Sequence, residues 1–214
     1  MNSFWLEVST SAPYIFLAWA TLTLIALSPG PSVMAIMGIS LSKGRAAGFL
    51  FTAGCMTGAT LWATLAGLGL SVWLMSFANG VFVLKLFGGM YLGWMAYKSM
   101  RSAMLRDRPT PRVSVSEHQG GKVFLQGLAL HVTNPKSVLG WASVIAISQS
   151  GNGSTLVLIV TLVLCLLTTF AIHFTYAGIF ASKRAMQVYA KIRRPIDGML
   201  AAVFGYGSYR LIFS

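Results

Sequence analysis

Apolar residues fall in six long blocks, at about 14–41, 46–75, 80–99, 123–148, 155–181 and 195–213, with polar residues gathered between them. Each block is near or above the ~20 residues that a helix needs to cross a ~30 Å hydrocarbon core. The pattern therefore predicts six transmembrane helices. Charge gives them a direction. Of the 16 Lys and Arg residues, 13 lie in three connections: Lys43 and Arg45; Lys98, Arg101, Arg106, Arg108, Arg112 and Lys122; Lys183, Arg184, Lys191, Arg193 and Arg194. The connections 76–79 and 149–154 carry none. Short loops rich in Lys and Arg stay cytoplasmic, so both termini are expected on the opposite, outer side.

Composition agrees with this reading. Hydrophobic residues make up 56% of the chain, charged residues 9%, and the mean hydropathy is +0.71. The net charge of +12 does not point to nucleic acid, because no folded basic domain presents it. Attraction of short basic loops to anionic membrane lipid accounts for it. No basic leader precedes the first block, whose length exceeds that of a cleaved leader's apolar core, so no processing is expected. Cys55 and Cys165 fall inside apolar blocks and say little about redox compartment.

The longest polar stretch, residues 101–122, contains Pro109, Pro111, Gly120 and Gly121 and reads as a flexible cytoplasmic linker. It separates residues 1–100 from residues 123–214, three predicted spans on each side. Three is odd, so the second set enters the membrane from the opposite face. The stretch from Leu27 to Met34 aligns with Val132 to Leu139 at an offset of 105 residues, and Gly89-Met90 aligns with Gly198-Met199 at an offset of 109. The fold expected is an all-α membrane protein of six transmembrane helices, built as two inverted three-helix repeats. Secondary transporters share this plan, with the substrate held at the repeat interface near the midplane.

Two local motifs interrupt the predicted helices: Ser28-Pro29-Gly30-Pro31, followed by Ser32, and Asn134-Pro135-Lys136. Interior proline removes a backbone donor and clashes with the preceding turn, at a cost of ~3 kcal/mol. Helices 1 and 4 are therefore expected to be broken at mid-membrane. Ser28-Pro29 and Asn134-Pro135 each pair a good N-cap with proline at the first helical position, so a half-helix should begin at each. Such starts carry unpaired N–H groups and the positive dipole end. Irregular backbone at this depth must be buried in protein or line a wet cavity. The two starts should therefore meet in a polar pocket suited to an anion.

Lys136 adds a cation to that pocket. An ammonium at the bilayer centre costs roughly 2.5–3.5 kcal/mol or more. The acids, Glu7, Asp107, Glu117 and Asp197, lie at ends or in loops, with Asp197 at the start of the sixth block. Two readings are open: Lys136 awaits an anion such as a substrate carboxylate, or it bonds carbonyls freed by the break. With no acid visible in the pocket, the lean is against a strongly cationic substrate such as lysine.

Ser-Pro-Gly-Pro in the first span, Thr-Asn-Pro-Lys in the fourth, and Gly88-Gly89-x-Tyr91-Leu92-Gly93-Trp94 in the third together resemble the LysE/RhtB family of bacterial amino-acid exporters. The resemblance covers essentially the whole chain. It implies efflux of amino acids or close derivatives across the bacterial inner membrane, driven by the proton motive force, with no enzymatic chemistry and no cofactor. Pro29, Gly30, Pro31, Asn134, Pro135 and Lys136 carry over position by position. Some relatives have a membrane-embedded Asp where this chain has Ala59 or Thr169, so no proton-carrying carboxylate is evident here.

His173, deep in the fifth span, and His131, one turn before the second break, are candidates for the coupling proton, because histidine titrates near neutral pH. A neutral histidine bonded between helices would look the same. His118 reads as solvated, and Lys85 and Arg210 as residues that reach the interface. Trp5, Trp19, Trp73 and Trp94 suit an interfacial belt. Trp62 and Trp141 lie deeper, and Trp141 suits either core packing or a pocket wall. Gly54 and Gly58, and Gly89 and Gly93, have the spacing that lets helices approach closely, inside the bundle or in a homodimer. No catalytic constellation, metal-ligand spacing or phosphate loop is present.

The substrate pocket is accordingly assigned to Ser28, Pro29, Gly30, Pro31, Ser32, Asn134, Pro135 and Lys136. Two readings of other classes stand beside export: a thiol–disulfide electron carrier using Cys55 and Cys165, and a non-transporting membrane scaffold.

Overall fold

The computed structural model describes residues 2–70, 80–105, 120–148 and 154–213. These residues form eight α-helices and no strand. In chain order they are α1 (Asn2–Leu27), α2 (Pro31–Lys43), α3 (Arg45–Leu65), α4 (Gly80–Met104), α5 (Gly120–Val132), α6 (Pro135–Ser148), α7 (Thr155–Ile179) and α8 (Lys183–Phe213). A π-helical turn, Ala66–Leu70, continues α3. Most of the linker, with His118, and Trp73 and the two uncharged connections fall outside the described residues, apart from Ser154.

Among the described residues, three helices are long and apolar enough to cross a membrane by themselves, over Trp5–Leu27, Arg45–Leu68 and Thr155–Ile179. Their apolar side chains face outward as well as inward: Phe16, Leu68, Ile159, Val163 and Leu167 are all exposed. Large apolar surface of this kind suits lipid. Several helices extend beyond the apolar blocks, furthest at the starts of α1 and α8. α1 begins at Asn2 instead of near residue 14, and α8 begins at Lys183 instead of 195. Hydropathy marks where a helix turns apolar, not where its hydrogen bonding begins. Residues Lys183 to Arg194, expected in a loop, are therefore three basic helical turns, and Pro195 is accommodated inside α8.

α1, α3, α6 and α7 surround one apolar core, in which Ala18, Ile36, Cys55, Ala59, Val144, Ile145 and Ala146 are wholly buried. The α2–α3 turn is the basic Lys43-Gly44-Arg45. Gly44 adopts φ +86°, a conformation that favours glycine.

Small residues set the helix pairs. At Gly54 the added Cβ would strike the Phe124 carbonyl and come within 2.9 Å of Leu128 N, so α3 and α5 touch backbone to backbone. At Gly58 it would lie 3.1 Å from His131 Cβ. α4 runs along α8, where the Ser208 hydroxyl donates to the Gly89 carbonyl at 2.7 Å and closes over Gly93. All four glycines thus serve contacts inside the chain. The C-terminal end of α4 is capped from α8: Arg194 Nε donates to Ala103 O at 2.9 Å and Arg193 Nη2 to Leu105 O at 3.1 Å. Cations at a helix C-terminus satisfy its orphan carbonyls and complement its dipole.

Candidate functional site at the paired helix breaks

Both motifs interrupt the helix, in different ways. The second break follows the sequence expectation. α6 begins at Pro135, and Asn134 caps it by accepting from Lys136 N at 3.0 Å. The first break begins two residues later than expected. Ser28 N still donates to Leu24 O at 2.9 Å, so Ser28 closes the last turn of α1. α2 starts at Pro31, with Gly30 as an extended N-cap (φ −125°, ψ −177°) that has no side-chain cap bond. The residue before a proline is pushed out of the α region. Two alternating prolines therefore delay the restart to the second one.

The carbonyls released by the prolines find partners on other helices. Tyr176 of α7 donates to Leu27 O at 3.0 Å, and the Lys136 ammonium donates to Ser28 O at 2.5 Å. At the second break Trp62 donates to Val132 O at 3.2 Å, and Tyr91 donates at 3.1 Å to Lys136 O, a carbonyl of the first turn of α6. Buried carbonyls left without donors are costly, so these contacts are what let the interruptions persist. Lys136 makes the carbonyl contact that the structural reading of it required.

The breaks meet. Asn134 Nδ2 donates to Ser32 Oγ at 3.0 Å, and His131 Nδ1 lies 3.4 Å from the same oxygen. The rings of His131 and His173 are 6.3 Å apart at their centroids, nearly perpendicular. His173 Nδ1 lies 2.8 Å from Thr169 O. Ser28, Ser32, His131, Asn134, Lys136, Thr169 and His173 are all buried. The sequence offered His131 and His173 as separate candidates, whereas the fold places them side by side.

Two cavities flank Lys136. A small one of about 40 Å³ is lined by Gly30, Ser32, His131, Asn134, Lys136 and His173, with Trp141 in its wall. It is large and polar enough to admit water. The other, about 450 Å³, is lined by Ser28, Pro29, Gly30, Pro31, Asn134, Pro135 and Lys136 from the breaks, and by Lys98, Ser99, Ser102 and Asp197 from α4 and α8. Ligand pockets span roughly 300–1,000 Å³. Asp197 corrects the sequence reading, which placed no acid near Lys136. It is 2% exposed and faces the same cavity. A lone acid among basic residues at the edge of an apolar block was the signal available for it.

A sequence model of the LysE type translocator family matches residues 23–214. The chain belongs to that family. It is 29% identical over 203 residues to a threonine efflux protein of Escherichia coli K12, covering 92% of this chain and 98% of the relative. It is 28% identical over 201 residues to a threonine efflux protein of Salmonella typhi, with the same two coverages. A homoserine/homoserine lactone efflux protein of Salmonella typhimurium is 30% identical over 119 residues, 56% of each chain. No solved structure matches the chain.

Proposed function

We propose that this protein is a secondary active exporter of amino acids or close derivatives across the bacterial inner membrane, working by alternating access and coupled to the proton gradient. The observation that carries this reading is the convergence of two interrupted helices on one polar cavity with a buried ammonium. The family, with its threonine and homoserine efflux relatives, gives the reading its substrate class.

The topology it uses has six crossings in two inverted halves with both termini periplasmic. The placement of the basic residues supports the direction. Helix pairing supports the repeat: α1 packs on α7 and α5 packs on α3, each interrupted segment lying against the middle helix of the other half, while α4 packs along α8. The substrate carboxylate binds Lys136 and the starts of α2 and α6, where the dipoles favour negative charge. The halves then rock about the breaks.

Uptake of labelled threonine, homoserine and other amino acids into inside-out membrane vesicles tests this directly. Vesicles containing the protein accumulate at least one of them when a proton gradient is imposed. Lys136→Ala inserts normally and accumulates none; unchanged accumulation by that variant rules out the ligand role.

A further inference from the structure

Asp197 is a buried carboxylate whose charge is loosely matched. Ser102 donates to its Oδ2 at 2.6 Å. The cation on its own helix, Arg193, has its Nε 3.9 Å from the same oxygen, beyond hydrogen-bonding distance, and this Nε makes no hydrogen bond. Arg193 is committed elsewhere, its Nη2 donating to the carbonyl of Leu105, just past the end of α4. Burying a carboxylate without a close, hydrogen-bonded cation is unfavourable. It persists where water or a ligand completes the set, and Asp197 lies on the wall of the large cavity.

The groups facing it across that cavity are Lys136 at the breaks and Lys98 from α4, whose ammonium sits 4.2 Å from the Trp94 ring centroid. One acid and two lysines therefore line one space, together with Ser99 and Ser102. A simple anion would satisfy the lysines and leave Asp197 unmet. A dibasic substrate would meet Asp197 and be repelled by the lysines. A molecule carrying both a carboxylate and an ammonium satisfies both ends.

We propose that Asp197 binds the α-ammonium group of the exported amino acid, making the large cavity a site selective for molecules that carry both a carboxylate and an ammonium group. This rests on the export reading above. It assigns the acid that the substrate's amine meets, and a carboxylate has acceptor sites to spare beyond the Ser102 bond.

The test is threonine uptake by inside-out vesicles, with N-acetylthreonine, which keeps the carboxylate but lacks the ammonium, as competitor. Asp197→Asn raises the KM for threonine by about tenfold or more, as expected for losing a hydrogen bond to a charged group. It also removes the wild-type preference for threonine over N-acetylthreonine. Asp197→Glu keeps that preference. Arg193→Gln, which removes the loose ion pair and spares the carboxylate, leaves both near their wild-type values. Asp197→Asn vesicles that still discriminate against N-acetylthreonine overturn the assignment, as does Arg193→Gln reproducing the Asp197→Asn loss. If wild-type vesicles take up no threonine, homoserine or serine, the export reading falls and this assignment with it. A loss confined to the Asp197 variant's selectivity leaves both standing.

Discussion

Lys136 lies across the backbone of Gly30: a Cβ added to Gly30 would sit 2.7 Å from Lys136 Cδ and 3.0 Å from its Nζ. The first break thus makes room for the cation of the second, and that cation donates to Ser28 O beside it. Gly30 needs no unusual φ, since it is extended, so its requirement is space alone. Gly30→Ala is expected to fold, because its backbone stays allowed and lysine is flexible. It pushes the ammonium off the Ser28 carbonyl. That ammonium is the proposed ligand of the substrate carboxylate, and a hydrogen bond from a charged group contributes about 1.5–3 kcal/mol, so displacing it should lower export by roughly tenfold or more at unchanged protein level. Vesicle uptake normalised to inserted protein measures this, and wild-type uptake would show that Lys136 works equally well displaced.

The second prediction concerns the small cavity. His173 and His131 face each other across it beside Ser32, Asn134 and Lys136. Among the described residues no carboxylate lines it. If the coupling proton passes here, a histidine or Lys136 carries it, and histidine is the group that titrates near neutral pH. His173→Gln should abolish accumulation driven by an imposed pH gradient while retaining exchange of labelled for unlabelled threonine across the same vesicles. Gradient-driven accumulation at the wild-type level would take His173 out of the coupling path, and His131→Gln would then be the variant to compare.

Much of this arrangement was legible in the chain, for identifiable reasons. Proline acts on backbone locally, so both interruptions could be placed to within two residues, and Asn134 could be assigned its cap. What failed was tertiary. Ser28 looked like the cap of α2, yet the second proline, Pro31, decides the start. Asp197 looked peripheral because hydropathy placed it at the beginning of a block. The helix in fact begins at Lys183, and Asp197 turns inward against Ser102. Tyr176 and Trp62 donate to break carbonyls, and Tyr91 to the first turn of α6, from helices distant in sequence. No local pattern distinguishes these aromatics from ones at an interface. Trp19 also has a tertiary partner that no local pattern gives: it donates to Thr168 of α7 at 2.8 Å.

The glycines separate into those that seat a neighbouring backbone and those that do not. At Gly54 an added methyl meets backbone atoms of Phe124 and Leu128, which cannot rotate away. At Gly198, within α8, nothing lies within 4 Å. Overpacking typically costs 1–3 kcal/mol, so Gly54→Ala should destabilise by about that much, and melting temperature changes by roughly 2–4 °C per kcal/mol at this size. Gly198→Ala should instead stabilise by about 0.5–1 kcal/mol, because alanine loses less entropy in a helix interior. Thermal unfolding of the two variants in detergent, followed by monodispersity, measures both. Equal shifts would contradict the backbone contact between α3 and α5.

The last prediction separates export from electron transfer. Cys55 and Cys165 are both free and buried. Cys55 Sγ donates to the Gly127 carbonyl at 3.3 Å, at the close contact of α3 and α5. That is a packing position with a weak hydrogen bond, and serine can supply the same donor in less volume. Neither thiol lines the two cavities beside Lys136. An electron carrier needs both sulfurs in thiol–disulfide exchange, whereas a transporter that uses the breaks needs neither. The double variant Cys55→Ser, Cys165→Ser should therefore retain wild-type uptake of threonine in vesicles, with at most a modest loss of thermal stability from the smaller side chains. Loss of uptake by the double variant, with each single variant active and all three inserted equally, would bring the redox reading back.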